Sequence, residues 1–234
     1  GNLNSTYLPI MTGCNNFCSY CVVPYTRGRE TSRPLEEILS DFKKLLRQGK
    51  KEIILLGQNV NSYKNMSKVK SQKSKFRNDF AVLLETLNNI PGNFKIKFTS
   101  NHPKDMNDEI IKAVRDLPKI KKEIHLPLQS GSNKILRAMN RPYTKEQYLK
   151  IVDKIKKEIP GVKISTDTII GFPGETEEDF QETVEVLRSV NYFQSFNNKY
   201  SPRVGTKAFD LGDPIPWKEK ERRWRILNEI TNKK

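Results

Sequence analysis

A chain of 234 residues, 35% hydrophobic and 29% charged, holds one sizeable core or two small ones and is too apolar to be disordered throughout. No apolar run approaches the roughly 20 residues of a membrane span, and no segment of the secretory kind opens the chain, so no membrane association and a cytoplasmic location are expected. Forty-two Lys and Arg against 27 Asp and Glu give a formal charge of +15, which argues for a polyanionic partner, nucleic acid ahead of an anionic membrane surface, with a lysine-rich source proteome as the plainer explanation.

In chain order, residues 7–11 read as a first strand. A loop follows that holds all three cysteines, Cys14, Cys18 and Cys21. An odd number of cysteines excludes a closed set of internal disulfides. A zinc site would need a fourth ligand from His102 or His125, the only histidines, neither close in sequence. Three soft ligands on one short loop suit an iron–sulfur cluster with one iron left open. Buried structural cysteines and zinc remain as alternatives.

The apolar spacing of residues 34–46 predicts a helix, opened by Ser32 and Arg33 before Pro34. Residues 52–56 read as a second strand ending at Gly57. Residues 64–79 carry five Lys, one Arg and almost no core pattern, and read as a mobile basic loop. A helix at 80–90 stops at Pro91-Gly92, a strand at 95–99 precedes a helix at 108–117, and a strand at 124–128 precedes helices at 135–139 and 145–159. A strand at 162–170 and a helix at 177–190 follow, then a weaker strand at 194–200 and a last helix at 217–230. Strand–helix alternation at this spacing predicts parallel strands with helical crossovers. Six units fall short of a closed eight-unit barrel. The expected fold class is α/β, an open (βα)6 partial TIM barrel, one domain over 1–234, with its chemistry at the C-terminal ends of the strands.

Polar residues at those ends are the candidates. Gly57-Gln58-Asn59 follows the second strand, where backbone carbonyls can accept hydrogen bonds. Gln129 lies just past the fourth, with an amide that both donates and accepts. Asp167 sits within the otherwise apolar fifth strand, and a buried carboxylate needs a partner, which a ligand hydroxyl would supply. Gly171, Pro173 and Gly174 allow a tight turn with close backbone approach, suited to adenine or a carboxylate. Arg141 offers a guanidinium that binds a carboxylate bidentately, and Arg27 lies close to the cysteine loop. Turns, caps and salt bridges are the plainer roles for all of these.

The segment GCNNFCSYCVVPYTRGRE, with C-x3-C-x2-C and Tyr20 before the last cysteine, resembles the signature of radical S-adenosylmethionine (SAM) enzymes. The resemblance implies a [4Fe–4S] cluster on Cys14, Cys18 and Cys21 whose unique iron chelates the amino and carboxylate groups of SAM. It also implies an open (βα)6 barrel of the radical SAM type, SAM contacts from Tyr20, Gly57, Gln58, Arg141 and Gly171, and ribose contacts from Gln129 and Asp167. Together with LLGQNVNSY, SNHPKD, IHLPLQSGS, AMNRPYT, STDTIIGFPGETEEDF and YSPRVGT, it resembles the methylthiotransferases, most of all the MiaB type that acts on tRNA. Branches acting on threonylcarbamoyladenosine or on a ribosomal protein are similar, and a non-catalytic zinc-stabilised RNA-binding module is the alternative from another class.

That resemblance implies addition of a methylthio group at C2 of N6-isopentenyladenosine next to the anticodon. One SAM donates a methyl to sulfur, and another is cleaved to methionine and a 5′-deoxyadenosyl radical that abstracts the C2 hydrogen. The implied partners are a tRNA anticodon stem-loop and an electron donor such as flavodoxin or ferredoxin, with the chain a monomer. Tyr25, Phe172 and Tyr200 are candidates to hold a splayed-out base. Whole enzymes of this type carry an N-terminal domain with three more cysteines for an auxiliary cluster and a C-terminal RNA-binding domain. With three cysteines and Gly1 as its first residue, the chain is expected to be the central radical SAM core alone.

Overall fold

The computed structural model describes residues 4–65 and 74–231. After strand β1 (Ser5–Pro9) come two short strands, β2 (Met11–Thr12) and β3 (Thr31–Ser32), with a one-turn helix α1 (Val23–Thr26) between them. The rest alternates: α2 (Leu35–Arg47), β4 (Glu52–Leu56), α3 (Asp79–Asn88), β5 (Lys95–Phe98), α4 (Asp108–Asp116), β6 (Glu123–His125), α5 (Asn133–Ala138), α6 (Lys145–Glu158), β7 (Lys163–Ile170), α7 (Glu177–Val190), β8 (Gln194–Lys199) and α8 (Trp217–Thr231).

β1, β4 and β5 pair in parallel, as do β6, β7 and β8. The two halves meet at Ile96 of β5, whose N–H donates to the Lys119 carbonyl at 2.8 Å and whose carbonyl accepts from the Lys121 N–H at 2.9 Å. Each of the six long strands therefore lies beside its predecessor. Among the described residues β1 pairs only with β4 and β8 only with β7, so the expected (βα)6 array is present and open. No helix among them is long and apolar enough to cross a membrane.

Alternation along each strand divides the sheet into two faces. Ile53 and Leu55 of β4, Ile96 and Phe98 of β5, Ile124 of β6 and Ile164 of β7 are buried against Ile38, Phe42, Phe80, Ile110, Val152 and Phe180 from the helices. Phe80 meets Phe98 edge-on, ring centroids 5.2 Å apart. The opposite face carries Lys97, His125, Ser165 and Asp167, all half-buried. One face makes the core and the other is left for a ligand.

Caps explain why the helix boundaries were legible. Asn78 and Asn107 accept from the backbone N–H groups of α3 and α4, and Thr144 and Thr176 close capping boxes on α6 and α7. The start of α2 differs from expectation. Pro34 is its N-cap without a side-chain bond; Ser32 belongs to β3, and Arg33 instead donates to the Pro9 carbonyl at 2.8 Å and pairs with Asp41 at 2.7 Å. The first strand also ends earlier than predicted. Met11 leaves β1 to pair with Ser32, and that two-residue ladder ties the ends of the cysteine loop together. Residues 66–73 of the basic loop predicted at 64–79 lie outside the described residues.

α8 docks on the turn after β7 through buried charge. Arg223 pairs with Glu175 at 2.7 Å, their side chains 6% and 2% exposed. Removing Arg223 strands the carboxylate, but burial already pushes the Glu175 carboxyl upward, so it would take a proton rather than stay charged. The expected cost of Arg223→Leu is about 3 kcal/mol, the low end for a broken buried pair, measurable by urea unfolding; a midpoint equal to the parent's would show that α8 does not hold the turn.

Candidate functional site

The cysteine loop is fastened at many points by residues far away in sequence. The Ser19 N–H and hydroxyl donate to the carbonyls of Met139 and Ala138 at 3.0 and 2.8 Å. Asn140 Nδ2 donates to the Phe17 carbonyl at 2.9 Å, and the Ala208 N–H to the Ser19 carbonyl at 2.8 Å. The Cys14 N–H donates to the Gly28 carbonyl at 3.2 Å. Burial pushes the Cys14 and Cys21 thiols above the ordinary range, and the neighbouring cysteines add to that. Such thiols stay protonated until a metal displaces the protons.

All three cysteines are unpaired and line one cavity of about 490 Å³ at the C-terminal ends of the strands, together with Tyr20, Arg27, Gly57, Gln58, Gln129 and Arg141. The structure thus brings together most of the site residues expected from sequence. Gly57 is needed for closeness alone, since a Cβ there would fall 2.4 Å from the Met11 side chain. Arg141 is buried, donating to the Tyr143 hydroxyl at 2.8 Å and to the Cys18 sulfur at 3.4 Å. It is therefore a partner of the thiol side of the cavity, and the Tyr143, Tyr20 and Cys18 groups around it favour its charge against the burial cost.

Among the residues that the sequence reading did not assign, Asn101 and, other than as a possible zinc ligand, His102 also line this cavity. Both follow β5 in the SNHPKD stretch, and the signal was there: polar residues at the end of a core strand. Four residues of the cavity wall carry a buried polar atom with no partner, namely Gln58 Oε1, Asn101 Oδ1, His102 Nε2 and Gln129 Oε1. Buried polar groups are almost always satisfied, so four around one cavity mark where a polar ligand belongs. With three thiols beside them, this donor set fits an iron–sulfur cluster and a polar molecule bound next to it. Among the described residues no three His, Cys, Asp or Glu side chains converge on one ion.

A second cavity of about 330 Å³ shares Tyr20 and Gln129 with the first and adds Asp167, Ile169, Asn198, Lys199, Tyr200 and Arg203. Gln129 is buried and sits at φ +70°, in the left-handed region, where the chain turns out of β6. Its N–H donates to the Asp167 carbonyl at 2.8 Å and its carbonyl accepts from the Ile169 N–H at 2.9 Å. Gln129 and Asp167 are thus neighbours, as the shared role required.

Other expectations need correction. Asp167 is not a buried, unpartnered carboxylate: its side chain is 31% exposed and its Oδ2 lies 3.0 Å from His125 Nε2. Ser165 Oγ lies 3.0 Å from the other ring nitrogen. A carboxylate only accepts, so Nε2 carries a proton and the ring links serine to aspartate. Gly171 lines neither of these two cavities. Its N–H donates to Glu175 at 2.8 Å, and the space a Cβ would take is filled by the Lys220 side chain at 2.6 Å, with φ +72° straining any other residue. Lys220, buried, ties that turn to the Tyr200 carbonyl at 3.0 Å. Asn59 turns away and donates to Asp105 at 2.7 Å. Phe172 is core, packed on Tyr200 at 5.3 Å, and Tyr25 lies on the surface against Phe17 at 6.0 Å. Of the three aromatic candidates, Tyr200 alone borders a cavity, with its hydroxyl spent on the Ala208 carbonyl at 2.7 Å.

A profile of the radical SAM superfamily matches residues 8–187. The tRNA-2-methylthio-N(6)-dimethylallyladenosine synthase of Clostridium tetani is 48% identical over 227 residues, covering 97% of this chain and 49% of that protein. The protein of the same name from Thermoanaerobacter pseudethanolicus is 50% identical over 228 residues, 97% of this chain and 47% of its own. The chain therefore spans about half the length of the curated relatives it matches. Among solved structures, methylornithine synthase superposes with a TM-score of 0.65 at 16% identity over 97% of this chain and 63% of its own. Coproporphyrinogen III oxidase from Escherichia coli, described as a radical SAM enzyme, does so with 0.64 at 15% identity over 95% and 51%. Identities this low speak to fold alone.

Proposed function

The chain belongs to the radical SAM superfamily, and from that premise we propose that it is the catalytic core of a tRNA methylthiotransferase acting at C2 of N6-isopentenyladenosine. The observation that carries the reading is the meeting of three free thiols and four unpartnered polar groups around one cavity, in a chain half identical to synthases named for that product. On this reading Cys14, Cys18 and Cys21 hold a [4Fe–4S] cluster, and SAM lies across the two joined cavities. Cluster and SAM, when bound, supply one-electron cleavage of SAM and the hydrogen abstraction that follows.

The protein's own part is to bind, orient and exclude water. Arg141 supplies a fixed cation beside the Cys18 sulfur, which favours the thiolate. Gln129, set by its backbone bonds, and Asp167, held by His125, present an amide and a carboxylate to the ribose hydroxyls. Arg27 and Arg203, both exposed, border the mouth and attract RNA phosphates. The partners are a tRNA anticodon stem-loop and a one-electron donor such as flavodoxin or ferredoxin, and the chain works as a cytoplasmic monomer.

Binding tests the ribose assignment. Gln129→Leu and Asp167→Ala should each weaken SAM affinity by roughly 1.5–3 kcal/mol, the worth of a hydrogen bond involving a charged or strongly polar partner, while iron content stays at the parent level. Equilibrium dialysis with labelled SAM measures it, and unchanged affinity in both variants refutes the assignment. The reading as a whole is tested by anaerobic reconstitution: about four iron and four sulfide per chain with a brown chromophore supports it, and zinc without iron favours a binding module.

A further inference from the structure

We propose that Asn101 and His102, at the end of β5, form a paired acceptor and donor that holds the amino-acid head of SAM; this rests on the reading of the cavity given above. Both side chains are buried, 4% and 3% exposed, and both line the cavity of the three cysteines. In each, one polar atom is committed to the protein and the other has no partner.

Asn101 Nδ2 donates to the His125 carbonyl at 2.9 Å, which fixes the amide and leaves Oδ1 as a buried acceptor without a donor. The Lys104 N–H donates to His102 Nδ1 at 3.2 Å. A nitrogen that accepts carries the lone pair, so the proton sits on Nε2, which has no acceptor. Burial, with the Arg141 and Lys104 cations nearby, pushes the imidazole down to about 2, so the ring is neutral and Nε2–H is a fixed donor. The backbone beneath is clamped as well: Asn61 donates to the His102 carbonyl and accepts from the His102 N–H, both at 2.9 Å. The pair is preorganised, with each member locked in one polarity before any ligand arrives.

A ligand that satisfies both must bring a donor and an acceptor. An amino acid does so, its amino N–H for Asn101 Oδ1 and its carboxylate for His102 Nε2–H. Gln58 Oε1, a further unpartnered acceptor from the end of β4, suits the same amino group. Position agrees, since the part of SAM that meets the iron must lie in the cysteine cavity, while Asp167 lies in the adjoining one.

The test compares two nucleosides on the iron-loaded chain: S-adenosylhomocysteine and 5′-methylthioadenosine, which keeps the adenosine and thioether but lacks the amino-acid head. His102→Asn keeps an acceptor near Nδ1 but has no donor at Nε2; His102→Gln restores one. His102→Asn and Asn101→Leu should each weaken S-adenosylhomocysteine about tenfold and leave 5′-methylthioadenosine unchanged, with His102→Gln recovering most of the loss. Iron content is measured on each variant, and if the Asn101 variant loses iron the two His102 variants decide. Equal losses for both nucleosides, no loss for either, or a glutamine variant no better than asparagine overturns the inference and leaves the cofactor reading standing. An iron-loaded parent chain that binds neither nucleoside overturns both.

Discussion

Replacing any one of Cys14, Cys18 or Cys21 by Ala should abolish reductive cleavage of SAM, by roughly a thousandfold or more, about 4 kcal/mol of barrier. The size of the effect follows from the ligand count. The chain has three cysteines and no spare, all three line one cavity, His125 is held between Ser165 and Asp167, and His102, which shares the cavity, has Nδ1 taken by the Lys104 N–H and a protonated Nε2. The chain offers no fourth cysteine to replace a missing thiolate. Loss of cleavage should follow loss of iron, measured on the same samples as 5′-deoxyadenosine formed and iron per chain. A Cys18→Ala protein that made 5′-deoxyadenosine at the parent rate would show that these thiols do not hold the reactive centre. Arg141→Leu should be milder, because it removes a donor to Cys18 and no ligand, so iron content should fall in part.

Long helices and core strands were readable because one physical pattern defined them. α7 lies at Glu177–Val190 as predicted, with a capping threonine and a continuous apolar face. The end of β6 was harder. Its ladder stops at His125 where a strand to residue 128 was expected, because Pro127 has no N–H and Gln129 turns to positive φ. The β2–β3 ladder was invisible for another reason. Two residue pairs joined across a loop have no periodicity of their own. In the site, the cysteines and Gln129 were legible from residue type and place in the strand–loop rhythm. The partners of Asp167 and Gly171 were not, because His125, Glu175 and Lys220 reach them through tertiary packing that no local pattern encodes. Asn101 and His102 needed both the fold and a count of unsatisfied atoms before their chemistry showed.

The isolated chain should bind tRNA in a strongly salt-dependent way, cleave SAM, and leave C2 of the adenine unmodified. The first part follows from charge. A formal +15, with exposed Arg27 and Arg203 at the cleft, should neutralise several phosphates; for about six, affinity falls roughly a thousandfold between 50 and 200 mM salt. A filter-binding slope near zero would remove phosphate contact from the account. Arg203→Gln should lower the slope by about one, uniformly across tRNA sequences. The second part follows from stoichiometry. All three thiols of this chain are spent on one cluster in the proposed reading, so no side chain is left to hold a second cluster or to surrender sulfur to carbon. Cleavage therefore runs without a sulfur donor, and the radical it yields is quenched rather than coupled. Mass spectrometry of the nucleosides from N6-isopentenyladenosine-containing tRNA, incubated with reduced iron-loaded chain and SAM, decides the matter. Its expected readout is 5′-deoxyadenosine and methionine with no methylthio product, and a methylthio nucleoside made by this chain alone would show that three cysteines suffice for the whole reaction.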